Sequence, residues 1–120
     1  MGSFGGKVSE LTDLQHKFTL MVADLIQEAA RRGYKVALGE AHRTPEQARL
    51  NAKKGSGISN SLHCERLAID LILRKNELYL TDSYQYQELG EWWESKGGAW
   101  GGRFKRPDGN HFSLAYGGRR

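Results

Sequence analysis

Apolar residues recur at Leu11, Leu14, Phe18, Met21, Val22, Leu25, Ile26 and Ala29, the three-and-four spacing of one helical face, which predicts a core helix over 9–32. Ser9, or Thr12 with Gln15, supplies its N-terminal cap, and Arg31, Arg32 and Gly33 suit its end. His16 falls off the stripe and is expected in solvent. Tyr34-Lys35-Val36-Ala37-Leu38 alternates as a strand with one buried face and delivers Glu40-Ala41-His42-Arg43 to its end. Thr44-Pro45-Glu46-Gln47 opens a short helix through Ala48, Leu50 and Ala52, with Thr as cap and Pro at the first helical position.

Residues 53–61, with Gly55, Gly57 and three serines, read as a loop, either a mobile rim near the site or a plain surface connector. A continuous apolar run over 67–73 then predicts the central strand; 74–77 has turn chemistry, and Leu78-Tyr79-Leu80 returns as the second arm of a hairpin. The pattern over 83–96 predicts a second longer helix burying Tyr86, Leu89, Trp92 and Trp93, interrupted by Gly90 and stopped by Gly97-Gly98. His111-Phe112-Ser113-Leu114 reads as a last strand. This order predicts an α+β domain: a small, mostly antiparallel sheet packed against two longer helices and one short helix. At 120 residues the chain is one domain over 9–116, with a flexible N-terminus at 1–8 and a basic tail at 117–120, and it is expected to be a monomer.

Charge and cysteine usage narrow the partners. The net charge of +4 favours anionic partners such as nucleic acid or a bacterial envelope, but Lys and Arg are spread along the chain apart from Arg119-Arg120, which reads as a solvated surface and not a nucleic-acid site. Cys64 is the single cysteine, so no internal disulfide forms. No apolar run approaches the roughly 20 residues of a membrane span, and no signal-peptide pattern is expected at the start.

The chemistry gathers around 61–70. Asp70 interrupts an otherwise apolar strand, where a carboxylate is costly to bury without a counter-charge, and a metal ion supplies one. His63 lies seven positions earlier, too far for one helical face but within reach of a loop folding over the strand. His111 offers a third ligand. Two His and one Asp suit Zn2+ at the sheet face, and three protein ligands leave an open position for water, the pattern of a catalytic site. Such water has its pKa lowered to about 7. Asp108, three positions before His111, is placed to take its proton, although Pro107-Asp108-Gly109-Asn110 is also ordinary turn chemistry. Cys64, beside His63, reads as a small packing residue in preference to a thiolate ligand or nucleophile, and His42 as a bystander in preference to a group that supports a ligand or meets substrate.

Ser61-x-His63, Ala68-x-Asp70 and the later Asp108-x-x-His111 together resemble the zinc peptidases that include bacterial D-alanyl-D-alanine carboxypeptidases and dipeptidases and the bacteriophage L-alanyl-D-glutamate endopeptidases. Trp100-Gly101-Gly102 followed by Asp108-x-x-His111-Phe112 is similar to the phage branch in particular. The likeness runs from about Gly33 onward. It implies His63, Asp70 and His111 as Zn2+ ligands, Asp108 as general base, Arg43 as the clamp for a substrate carboxylate, Ser61 as a hydrogen-bond donor nearby, and Trp100 at the substrate. Arg43 also has Glu40 and Glu46 within reach, and Trp100 also fits a core. Arg66 stands where many relatives have Gly, and Ser113 where many have Glu or Gln; both bear on the substrate groove.

The resemblance therefore implies a Zn2+ endopeptidase cutting the peptidoglycan stem peptide between L-Ala and D-Glu. Its expected setting is a phage or prophage endolysin, held in the host cytoplasm until release and then acting at the periplasm and wall. The alternatives are a D-alanyl-D-alanine carboxypeptidase or dipeptidase, and a zinc module that binds wall fragments without cutting them.

Overall fold

The computed structural model describes residues 9–55 and 61–120; the flexible N-terminus expected at 1–8 and the centre of the expected loop, 56–60, lie outside the described residues. Helix α1 (Glu10–Arg31) starts where Ser9 Oγ accepts from the Thr12 amide, and strand β1 (Lys35–Leu38) follows after a left-handed Gly33. Helix α2 (Pro45–Lys53) is capped by Thr44, whose side chain accepts from the Gln47 amide at 3.0 Å. Strand β2 (Ala68–Lys75) turns at Asn76-Glu77, with Asn76 at φ 55°, into β3 (Leu78–Tyr79). Helix α3 (Gln87–Ser95), then β4 (Ala99–Trp100) and β5 (His111–Ser113), complete the fold.

The strands form an antiparallel sheet in the order β1-β2-β5-β4, with β3 also paired to β2. This is the α+β architecture expected from the pattern, with two local differences. The segment expected as one helix over 83–96 begins as a 3-10 turn at Ser83–Tyr86 before α3. Strand β4 has no counterpart in the hydrophobic pattern, because two residues display no period.

The central run is buried on one face rather than both. Leu71 and Leu73 are fully buried, while Ile72, between them, is 41% exposed, so Asp70, Ile72 and Arg74 share an open face. Beneath the sheet, Leu25 and Ala29 of α1 and Leu89 and Trp93 of α3 join Leu71, Leu73 and Phe112 in the core. Trp93 is its hub. Its ring meets Phe18 and Phe112 edge-on, at centroid distances of 5.9 and 6.0 Å, and its indole N–H is shared by the carbonyls of Ser113 (2.9 Å) and Ala99 (3.1 Å). Helix α3 is thereby tied to the two strands that flank the site. Trp92, expected in the core, is only half-buried, with Lys96 over its ring.

Candidate metal centre and cleft

Backbone register brings the first two site residues together. Asp70 on β2 lies directly opposite His111 on β5, so both side chains emerge on the same face although 41 positions separate them. His63 reaches them from a 3-10 turn, Leu62–Glu65, whose cap Ser61 accepts from the His63 amide at 3.1 Å. The chain leaves that turn for β2 through Arg66 at φ 57°, so the left-handed backbone that suits glycine is kept with an arginine. Residues 39–43 run alongside: the Asp70 amide donates to Glu40 O, the Arg43 amide donates to His63 O, and Ala41 O faces His63 Nδ1 at 3.1 Å.

That last contact assigns the proton of neutral His63 to Nδ1 and turns the Nε2 lone pair inward. His63 Nε2 stands 3.3 Å from Asp70 Oδ1, and His111 Nδ1 stands 3.5 Å from the same oxygen. Ligand atoms from all three residues lie within 4.8 Å of one another. The observation that decides whether a metal fits is Asp70 Oδ1 itself, which is buried and makes no properly formed hydrogen bond. Bonds of about 2.0–2.1 Å in a tetrahedral site separate neighbouring ligand atoms by roughly 3.3–3.4 Å, close to both spacings found here. The residues fit a small divalent cation.

Charge agrees with this. Burial alone would push Asp70 up, but His111 and His63 facing it more than offset the burial and hold its carboxyl at about 2. Burial likewise pushes His63 down, yet Asp70, then Ala41 O and Glu40, bring it above an ordinary imidazole.

Asp108 is held at the lip of this cluster, its Oδ2 4.0 Å from His111 Nδ1 and its side chain half exposed. Partial burial, and then the charge of Asp70, raise its pKa against the pull of His111, His63 and Arg43. The loop carrying it is clamped on both sides. The Asp108 amide donates to Gly101 O at 2.9 Å, the Gly109 amide donates to Ser83 Oγ at 2.9 Å, and Trp100 Nε1 donates to Gly109 O at 2.7 Å. A side chain at Gly101 would start 2.2 Å from Asp108 O, so glycine is required for this approach.

Residues 54–114, just over half of the chain, match a family model described as D-alanyl-D-alanine carboxypeptidase. The chain belongs to that family. This D-alanyl-D-alanine carboxypeptidase-family chain is thus a metallopeptidase that hydrolyses peptidoglycan. Its fold is similar to the solved structure of the Serratia marcescens L-Ala D-Glu endopeptidase ChiX, with a TM-score of 0.66 and 19% identity, over 91% of this chain and 89% of that one. No curated protein sequence matches it.

In the peptidase the metal cluster forms the floor of a cleft of about 650 Å³, whose walls include Arg43, Ser61, Phe104, Arg106, Asp108, Arg119 and Arg120. Of the expected substrate residues, Arg43 and Ser61 reach the cleft and Trp100 does not line it. Trp100 is 4% exposed and packs against Gly90, where any Cβ would lie 2.2 Å from its ring; it supports the Asp108 loop from beneath. That contact also accounts for the glycine inside α3. Arg43 is paired with Glu40, its Nε donating at 3.0 Å and its Nη2 donating to the same oxygen. Ser113 is fully buried, its hydroxyl donating to Ala99 O at 3.4 Å, so this departure from the family pattern lies beneath the groove. Cys64 directs its thiol toward Thr44 O and His42 is exposed.

Three contributions were not foreseen. Glu40 stands 3.8 Å from His63 Nε2, and only its three-residue spacing from Arg43 hinted at a role. Phe104 packs on the His111 ring at 5.1 Å. Residues 117–120, expected as a tail, fold back: Tyr116 and Arg119 exchange backbone hydrogen bonds of 3.0 Å, and Arg119 pairs with Glu65 at 3.6 Å.

Proposed function

We propose that this peptidase is a Zn2+-dependent endopeptidase that cuts the peptidoglycan stem peptide between L-Ala and D-Glu. The observation that carries the reading is the convergence of His63 Nε2, Asp70 Oδ1 and His111 Nδ1 on a cleft floor, with the Asp108 carboxylate 4.0 Å from one of them. Two imidazoles and a carboxylate are ligands that Zn2+ accepts readily, with Mn2+ or Co2+ as weaker candidates.

A bound Zn2+ supplies Lewis-acid polarisation of the scissile carbonyl and acidifies water. His63, Asp70 and His111 hold the ion. Asp108 takes the proton of the attacking water and passes it to the leaving amine, and its place at the lip, 4.0 Å from His111, suits both halves of that task. Arg43 receives a substrate carboxylate by exchanging it for Glu40, and the Ser61 hydroxyl, whose oxygen already accepts from the His63 amide, donates to the substrate from the cleft wall. Phe104 covers the His111 ring and limits water there.

A phage or prophage endolysin, retained in the host cytoplasm and released to the wall, is the setting we infer. It is supported by the likeness of the Trp100-Gly101-Gly102 segment to the phage branch and by the net charge of +4, suited to an anionic envelope. No helix among the described residues is long and apolar enough to cross a membrane.

The second reading, removal of a terminal D-Ala, is favoured by the description of the matching family and by an arginine on the cleft wall. Incubating the purified protein with sacculi, with and without a chelator, and weighing the products separates the two. Chelator-sensitive fragments with a new D-Glu amino terminus are expected. Stems shortened only by D-Ala would establish the second reading, and unchanged sacculi would remove both.

A further inference from the structure

Four arginines line the cleft, and they are not equivalent. Arg43 is engaged by Glu40, and Arg119 by Glu65. Neither Arg106 nor Arg120 has a carboxylate partner among the described residues, and residues 1–8 and 56–60 contain no Asp or Glu that could provide one. With a divalent ion on the floor, the charges of Asp70 and Asp108 are matched by the ion alone. The guanidinium groups of Arg106 and Arg120 remain as a cationic wall with no side-chain carboxylate paired to it, and such a wall focuses anionic ligands into a cleft.

The turn that carries Arg120 is held through its neighbour Arg119. Arg119 lies over the Tyr116 ring at 5.8 Å and pairs with Glu65, which sits on the same 3-10 turn as the ligand His63. The Glu65 carbonyl is in turn held by Gln15 Nε2 of α1 at 2.8 Å. These contacts fix the turn that presents Arg120. Arg106 enters from the other loop, between Phe104 and Asp108, both of which also line the cleft. Planar guanidinium forks favour carboxylates over neutral amides.

We propose that Arg106 and Arg120 form a second carboxylate subsite, so that the preferred substrate is an acidic peptide bearing one carboxylate for Arg43 and another for this wall. The subsite makes Arg106 and Arg120 specificity-determining residues, and it rests on the reading of the cleft as a peptide-cutting site.

The test uses the stem tripeptide L-Ala-γ-D-Glu-diaminopimelate with its carboxylates free and versions in which each carboxylate is singly converted to a carboxamide. The metal-loaded wild type is expected to favour the free peptide over one of the amides by about tenfold in kcat/KM, and that ratio should shrink as ionic strength rises. In the R106Q/R120Q double variant the ratio for that amide is expected to fall toward one, with metal content and melting temperature as controls for the fold. A double variant that keeps the wild-type ratio overturns the subsite. If no peptide is cut, the peptidase reading itself has failed; calorimetric binding of the same peptides to both loaded proteins then decides the subsite. Lost discrimination in the double variant would support it, and unaltered discrimination would overturn it.

Discussion

Asp70 and His111 meet because two strands pair, whereas Asp108 is positioned by the side chains of Trp100 and Ser83 and by the backbone of Gly101. The strand pair uses backbone hydrogen bonds that any sequence can form, backed by Leu71, Phe112 and Trp93 beneath. The Asp108 loop depends on particular groups: the Trp100 indole, the Ser83 hydroxyl and the bare Cα of Gly101. The candidate metal ligands and the proposed base are therefore held by separable means, one by the sheet and the other by a clamp.

The sharpest break removes a ligand. Asp70→Ala should abolish metal binding, lowering affinity by more than the roughly hundredfold that loss of an outer partner costs, and activity with it; metal content after dialysis checks this, and full retention would refute the assigned ligand set. Asp108→Ala comes next. Activity on sacculi should fall roughly a hundred- to ten-thousand-fold while metal content stays at the wild-type level. Undiminished lysis would remove Asp108 as the base.

Trp100→Phe tests the clamp without touching the cleft. Loss of the bond to Gly109 O should cost about 1 kcal/mol by denaturant midpoint and lower kcat more than it raises KM, with metal retained. A variant that loses stability but keeps kcat would make Trp100 a packing residue only. The smallest effect belongs to Arg66→Gly, which should stabilise the protein by on the order of 0.5 kcal/mol, because glycine adopts the left-handed backbone without the steric cost borne by Arg66. A destabilised variant would show that the arginine side chain makes a contribution of its own.

This division also explains what could be read from the chain. The periodicity of α1 and the Thr44-Pro45 start of α2 are local signals, and both are present in the fold. His63, Asp70 and His111 were legible only as residue types; strand pairing and the Leu62–Glu65 turn bring their ligand atoms within 4.8 Å of one another. Gly90 reads as a helix defect until Trp100, ten positions on, is seen filling its place. The return of Arg119 to Glu65 joins segments 54 positions apart, and no local pattern encodes such a pairing. The motif implies Trp100 at the substrate while the residue itself also fits a core, and the core is where it lies, because a motif gives adjacency along the chain but not the side of the sheet on which a ring sits.

The facing pair on β2 and β5 carries one more consequence. Side chains alternate between the two sides of a strand, so a slip of one place in this pairing would turn Asp70 toward the helices or set an aliphatic neighbour against His111. A misaligned molecule would have nowhere to lodge a cation. Uptake of the ion is thus a proofreading signal for the last strand: a preparation's metal stoichiometry counts the molecules in which β5 has paired with β2 in register.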